Sequence, residues 1–257
     1  MIGAITGDVI GSVFEFHSTK SKDFELFSER SSFTDDSLLT IAVADCLLTG
    51  RDYVDAFHEA VAEHPRRGWG GNFRRWARRR DTEPYNSWGN GSAMRVSAVG
   101  WAFDDAEQVL REAERSAAAT HNHPEGIKGA QATALAVLRA RMGVEKHALR
   151  DELTERFGYE LTRTLDAIRP DYQFDVSCQG SVPESLICVF EADDFEDAIR
   201  NAVSLGGDAD TMAAIAGAVA EPLFGGVPEA LSQPALSRLT PELLATVEAF
   251  VERFGGS

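Results

Sequence analysis

Gly206-Gly207-Asp208-Ala209-Asp210-Thr211-Met212-Ala213-Ala214-Ile215-Ala216-Gly217-Ala218-Val219-Ala220 decides how this chain is read. Two glycines permit a turn, two aspartates and a threonine follow, and residues 211–223 are apolar with helical spacing. Asp208 and Asp210 sit two apart, a spacing that suits a turn entering a helix at Thr211 rather than one helical face. The same ingredients recur in reversed order at Thr34-Asp35-Asp36, ahead of the helix-patterned run 37–48. One aspartate or serine caps a helix start adequately, whereas four carboxylates and two threonine hydroxyls make a dense set of hard oxygen ligands. Magnesium and manganese favour carboxylate, hydroxyl and water ligands; zinc more often recruits histidine or cysteine, and neither is adjacent here. The expectation is therefore a site for two Mg2+ (or Mn2+) ions, and the competing reading is two negatively charged helix N-caps.

Helical periodicity extends over most of the remaining sequence, at residues 54–63, 93–103, 106–119, 129–142, 146–157, 161–168, 182–190, 195–205 and 241–254. Strand-like alternation is scarce, the breakers are short, and no repeat of constant period is present. These features predict an all-α fold, a single compact multi-helix domain spanning residues 1–257. A 44% hydrophobic content fills a sizeable core, and the net charge of −16 repels nucleic acid and anionic membrane surfaces. An anionic substrate must then be held locally. No apolar stretch approaches the roughly 20 residues of a membrane-spanning helix. The first residues, Met1-Ile2-Gly3-Ala4, lack a basic leader, and Cys46, Cys178 and Cys188 are odd in number, in apolar surroundings and without zinc-type spacing. The expectation is a soluble cytoplasmic monomer with reduced core thiols.

Gly3, Gly7 and Gly11 lie four apart, on one side of a helix, where they let another backbone approach closely. Glu15 ends that run and could reach a metal or a leaving group; alone it reads as a surface glutamate. Ser87-Trp88-Gly89-Asn90-Gly91-Ser92 precedes a helical run and offers backbone donors at a helix start, which suits an anion; a plain turn is an equal reading. Thr120-His121-Asn122-His123 joins two helices, and one of its histidines can touch a substrate. Residues 66–80 hold seven of the chain's basic side chains with aromatics interleaved, a composition that suggests nucleic-acid binding. A helix with a solvated arginine face and Trp69, Phe73 and Trp76 packed inward explains the spacing as well and is preferred.

Taken in order, Gly7-Asp8-Val9-Ile10-Gly11-Ser12-Val13-Phe14-Glu15, Phe33-Thr34-Asp35-Asp36-Ser37, Gly89-Asn90-Gly91-Ser92-Ala93-Met94-Arg95, Thr120-His121 and Gly206-Gly207-Asp208-Ala209-Asp210-Thr211 resemble the ADP-ribosylglycohydrolase family. That family includes the dinitrogenase reductase-activating glycohydrolases and the ADP-ribosyl-acceptor hydrolases of animals. The resemblance implies an all-helical hydrolase with a binuclear magnesium or manganese centre. Thr34, Asp35 and Asp36 match one set of metal ligands, and Asp208, Asp210 and Thr211 the other. Glu15 matches a mobile flap glutamate. Residues Ser87, Trp88, Gly89, Asn90 and Gly91 match the loop whose backbone holds the diphosphate of ADP-ribose, and His121 matches a substrate contact beside it. The implied reaction is hydrolysis of the glycosidic bond between ADP-ribose and a protein side chain or small acceptor, with Glu15, Asp36 and Asp208 as candidates for the proton transfers. Two alternatives stand beside it: a binuclear-metal phosphohydrolase acting on an ADP-ribose-like substrate, and a non-catalytic ADP-ribose-binding or structural relative.

Overall fold

A computed structural model describes residues 1–255. The helical periodicity is realised across most of the described residues. In order come α1 (Ile2–Gly11), α2 (Asp35–Thr49), α3 (Tyr53–Glu63), α4 (Gly71–Arg79), α5 (Gly91–Met94), α6 (Ser97–Ala102), α7 (Ala106–Ala118) and α8 (Pro124–Arg141). There follow α9 (Lys146–Phe157), α10 (Leu165–Ile168), α11 (Cys178–Phe190), α12 (Phe195–Ser204), α13 (Ala209–Leu223), α14 (Glu229–Leu236) and α15 (Pro241–Phe254). Among the described residues there is no strand, only a single antiparallel bridge between Gly89 and Ser177, and no helix is long and apolar enough to cross a membrane.

α13 is the axis of this one compact domain. Its residues from Ala209 to Glu221 are all buried, as a helix apolar on every face requires. α1 lies against it with almost no side chain between them. A β-carbon added at Gly3, Gly7 or Gly11 would collide with the carbonyl oxygen of Gly217, Ala213 or Ala209 in turn, so the glycine stripe is the seam itself. α2, α8, α11 and α12 surround this pair, and α15 closes over α2. The core unites side chains from nearly every helix, and Cys46, Cys178 and Cys188 lie within it as buried free thiols. Burial pushes the thiols of Cys46 and Cys178 up to about 12, which keeps them protonated and unreactive.

Several helix limits differ from the sequence expectation, each for a local reason. α13 begins at Ala209, two residues early; Asp208 stands at the N-cap position without a side-chain capping bond, and Asp210 enters the first turn, where the helix dipole favours a carboxylate. The run expected at 93–103 breaks into α5 and α6 around Arg95 and Val96, whose ψ angles of −7° and −4° lie at the bridge-side edge of the α region. The run 161–168 is helical only from Leu165, since Thr164 caps it by accepting from the Ala167 amide. Ser177 likewise caps α11, starting it four residues ahead of the expected 182, and His123 and Pro124 start α8 ahead of 129. α14 carries Pro234 internally and was not anticipated.

The arginine-rich segment folds as preferred. Trp69, Phe73 and Trp76 are buried, the first two rings stacked 5.5 Å apart, and their indole N–H groups donate to His64 O and Glu83 O. Arg74, Arg75, Arg78, Arg79 and Arg80 face solvent.

Candidate active site

The α1–α13 seam brings the two acidic clusters together. Asp8, one turn before the end of α1, is fully buried and gathers the start of α2 onto itself. Its carboxylate accepts from Thr34 N (2.9 Å), Thr34 Oγ1 (2.7 Å), Ser37 N (3.1 Å) and the Ser37 hydroxyl. Thr34 in turn caps α2 by accepting from Asp36 N (3.2 Å). With α2 fixed this way, carboxylate oxygens of Asp8, Asp36 and Asp210 lie within 4.8 Å of one another. Those of Glu15, Asp208 and Asp210 form a second group of the same dimensions. Asp210 belongs to both.

So many carboxylates in one buried place destabilise each other's charged form. Asp36 and Asp210 titrate well above the usual carboxylate range, first because burial strips their hydration, then because of the neighbouring aspartates. Burial and nearby Asp8 push Asp35 up to about 8; burial followed by Asp208 and Asp8 pushes Glu15 up to about 7. Burial also raises Asp8 and Asp208, against the hydrogen bonds that both accept. Asp36 Oδ1 is buried without any hydrogen-bond partner, and no basic side chain among the described residues is among the groups that shift Asp8, Asp36 or Asp210. An orphaned carboxylate oxygen within a set of hard oxygen donors fits divalent cations.

Glu15, Asp35, Asp36, Asp208 and Asp210 line one end of a cleft of about 390 Å³, with Asp8 behind them. The other end is made of loops. The bridge at Gly89 fastens the 87–91 loop to the segment before α11, through Asn90 N to Val176 O (2.8 Å) and Cys178 N to Trp88 O (2.9 Å). Gly89 and Gly91 present backbone to the cleft, while Asn90 reaches the carboxylates, its Nδ2 donating to Asp208 Oδ2 (2.8 Å). His121, at the α7–α8 junction, faces this loop, and beneath it lies Arg95, fully buried, its guanidinium 4.3 Å over the Phe57 ring. Burial and Arg95 hold the His121 imidazole well below its ordinary range, so it is neutral. Tyr85, Phe174 and Val176 complete the wall.

All the residues singled out from sequence line this cleft except two. Thr34 turns its hydroxyl to Asp8, and Trp88 is 53% exposed, with its ring edge against His123. Asp35 lines the cleft but stands outside both carboxylate groups. Sequence reading gave no role to Asp8 or Arg95, although each is a charged residue in an otherwise apolar or small-residue run, which is the mark of a buried charge with work to do. Tyr85 and Phe174 carry no such mark.

Residues 1–255 match the sequence profile of the ADP-ribosylglycohydrolase family. Similar proteins include ADP-ribosylhydrolase ARH3 of Mus musculus, 26% identical over 91% of this chain and 85% of its own length. The Bos taurus protein of the same name is 28% identical over 91% and 86%. An uncharacterised protein of Archaeoglobus fulgidus is 30% identical over 61% of this chain and 56% of its own. Among solved structures, one titled "ADP-ribosylglycohydrolase-related protein complex" superposes with a TM-score of 0.71 at 24% identity, covering 98% of this chain and 96% of that one, and shares the fold.

Proposed function

Because the chain belongs to the ADP-ribosylglycohydrolase family, we propose that it hydrolyses the glycosidic bond between ADP-ribose and an acceptor, using two divalent cations, Mg2+ or Mn2+. The observation that carries this reading is Asp210, a single carboxylate common to two acidic groups at one end of a cleft whose other end is a backbone-donor loop with a neutral histidine. Asp36 and Asp210, with Asp8 close by, would hold one cation; Glu15, Asp208 and Asp210 would hold or face the other; Thr34, Asp35 and Thr211 stand beside them as further oxygen donors. Bound there, the cations supply polarisation of a sugar's vicinal hydroxyls and of a water.

The protein's own groups do the rest. Ser87, Gly89, Asn90, Gly91 and His121 bind the diphosphate and adjoining sugar by hydrogen bonds, which supplies the local anion site that the net charge of −16 demands. Asn90 couples that end to the reacting end by orienting Asp208. Glu15, half-buried at the rim with its carboxyl near neutrality, is placed to hold or hand over a proton as the bond to the acceptor breaks. Asp36 and Asp208 are the other carboxylates that could take a proton from water. The resemblance of Gly11-Ser12-Val13-Phe14-Glu15 to the serine- and O-linked branch of the family favours an O-linked acceptor such as serine, with an arginine-linked acceptor as the alternative. Free buried thiols suit a reducing cytoplasm.

A hydrolysis panel tests this: arginine-linked, serine-linked and 1-phosphate ADP-ribose, each with magnesium, with manganese and with chelator. Metal-dependent release of ADP-ribose is the expected result. AMP as product assigns the cleft to a phosphohydrolase, and no product from any substrate assigns it to binding alone.

A further inference from the structure

Arg95 is fully buried, yet no carboxylate lies among the groups that act on it. Its Nη2 donates to Ser116 O (2.8 Å) and to Thr120 Oγ1 (3.1 Å). Arginine carries donors only, so the Thr120 oxygen accepts on that side and the hydroxyl's single proton must point elsewhere. The nearest polar atom it meets is His121 Nδ1, at 2.7 Å. Were Nδ1 protonated, the fully buried Thr120 hydroxyl would lose its acceptor, and an N–H would be turned towards the hydroxyl that a guanidinium already polarises. Both penalties vanish when Nδ1 is bare. The chain of donors then runs from Arg95 through Thr120 into Nδ1, and the ring proton sits on Nε2. That nitrogen faces the loop: β-carbons built on Gly91 and Gly89 would stand 3.3 and 3.5 Å from it, so only glycine leaves the space beside it open to a ligand.

We propose that Arg95 and Thr120 are positioning residues that lock His121 in its neutral Nε2–H tautomer, making it a one-way hydrogen-bond donor to a phosphate or sugar oxygen in the cleft. The lock selects its ligand by chemistry. An acceptor oxygen seats on Nε2–H, whereas an amide or ammonium donor meets another donor. The identity of that oxygen as one of ADP-ribose rests on the function proposed above; the tautomer does not.

Side-chain 15N–1H correlation spectra of the intact protein near neutral pH read the tautomer without any ligand. Wild-type His121 is expected to show a bare Nδ1 and a protonated Nε2. Thr120→Val, which keeps the shape and removes the hydroxyl, should mix the two tautomers, and Thr120→Ser should restore the wild-type pattern. By calorimetry, ADP-ribose affinity should fall about tenfold in Thr120→Val, the size of one charge-assisted hydrogen bond, and stay within about twofold in Thr120→Ser. A protonated Nδ1 in the wild type overturns the proposal, as does a Thr120→Val spectrum identical to wild type. A shifted tautomer with unchanged affinity removes the positioning role. Spectra that respond as stated in a protein to which ADP-ribose does not bind keep the lock and refute the ligand assignment instead.

Discussion

The two ends of the cleft are built by opposite means. At one, carboxylates from α1, α2, the segment after α1 and the start of α13 are packed within reach of each other, with no cation among the groups that shift Asp8, Asp36 or Asp210. At the other, the one arginine lining the cleft is buried with no anion to answer it, beside a neutral histidine and bare backbone. Each end is electrostatically incomplete, and with opposite sign. A pair of divalent cations would complete the first, and an oxygen-rich anion the second. Under the proposed function, the cleft would divide its labour along its length, with bond cleavage at the carboxylates and grip at the loop.

The sharpest way to break this division is Asp210→Asn. Both acidic groups lose the member they share, so turnover should fall by a factor of about 1,000 or more, while the far-ultraviolet circular dichroism stays that of a helical protein. If turnover survives, Asp210 is not the hinge of the site. Asp8→Asn acts one step back, since it loosens the start of α2 without removing a rim carboxylate; metal affinity read by calorimetry should weaken about 10–100-fold.

Acidity probes the same end without mutation. The folded protein raises the pKa of Asp8, Glu15, Asp35, Asp36, Asp208 and Asp210, so without cations it is favoured where these groups are protonated, below their unfolded values near 4. That stability is lost as pH rises through the folded values, about 7 for Glu15 and about 8 for Asp35. In chelator the melting temperature should therefore drop between about pH 5 and pH 8, and magnesium should raise it more at the upper pH than at the lower. A flat profile would mean that the charges are relieved some other way.

The grip end predicts smaller effects. His121→Ala should weaken ADP-ribose about tenfold by calorimetry and leave metal affinity alone. Trp88→Ala should change the same affinity by less than about threefold, because this exposed ring stands outside the cleft and its residue serves through the backbone that pairs with Cys178. A large loss at Trp88 would show that the loop recognises its ligand through side chains after all.

Much of the carboxylate end was legible in the sequence. Thr34-Asp35-Asp36 and Asp208-Ala209-Asp210-Thr211 stand out because local structure never asks for so much charge, and Gly3, Gly7 and Gly11 announce a close helix contact by spacing alone. What stayed hidden is the sharing of Asp210, a property of how α1, α2 and α13 meet and of no spacing along the chain. The task of Asp8 was hidden for a related reason: an acid in an apolar run marks a buried charge, but what it holds shows only when its partners, Thr34 and Ser37, are seen at hydrogen-bond distance. The grip end was less legible still. The helix break at Arg95 and Val96, which turns the guanidinium inward to Ser116 and Thr120, goes against the apolar periodicity of 93–103, so sequence alone favoured an unbroken helix there.

The glycine seam between α1 and α13 has a further consequence, for the newborn chain. Its two halves are about two hundred residues apart, so on a ribosome adding about 5–20 residues per second α1 waits some 10–40 s for the partner that covers it. Throughout that interval its ten residues lack the neighbour that buries them, and so short a helix is only marginally stable alone. The carboxylates to which the proposed function gives the metal exist as a set only once the late helix has emerged and docked, so any ion would have to enter late.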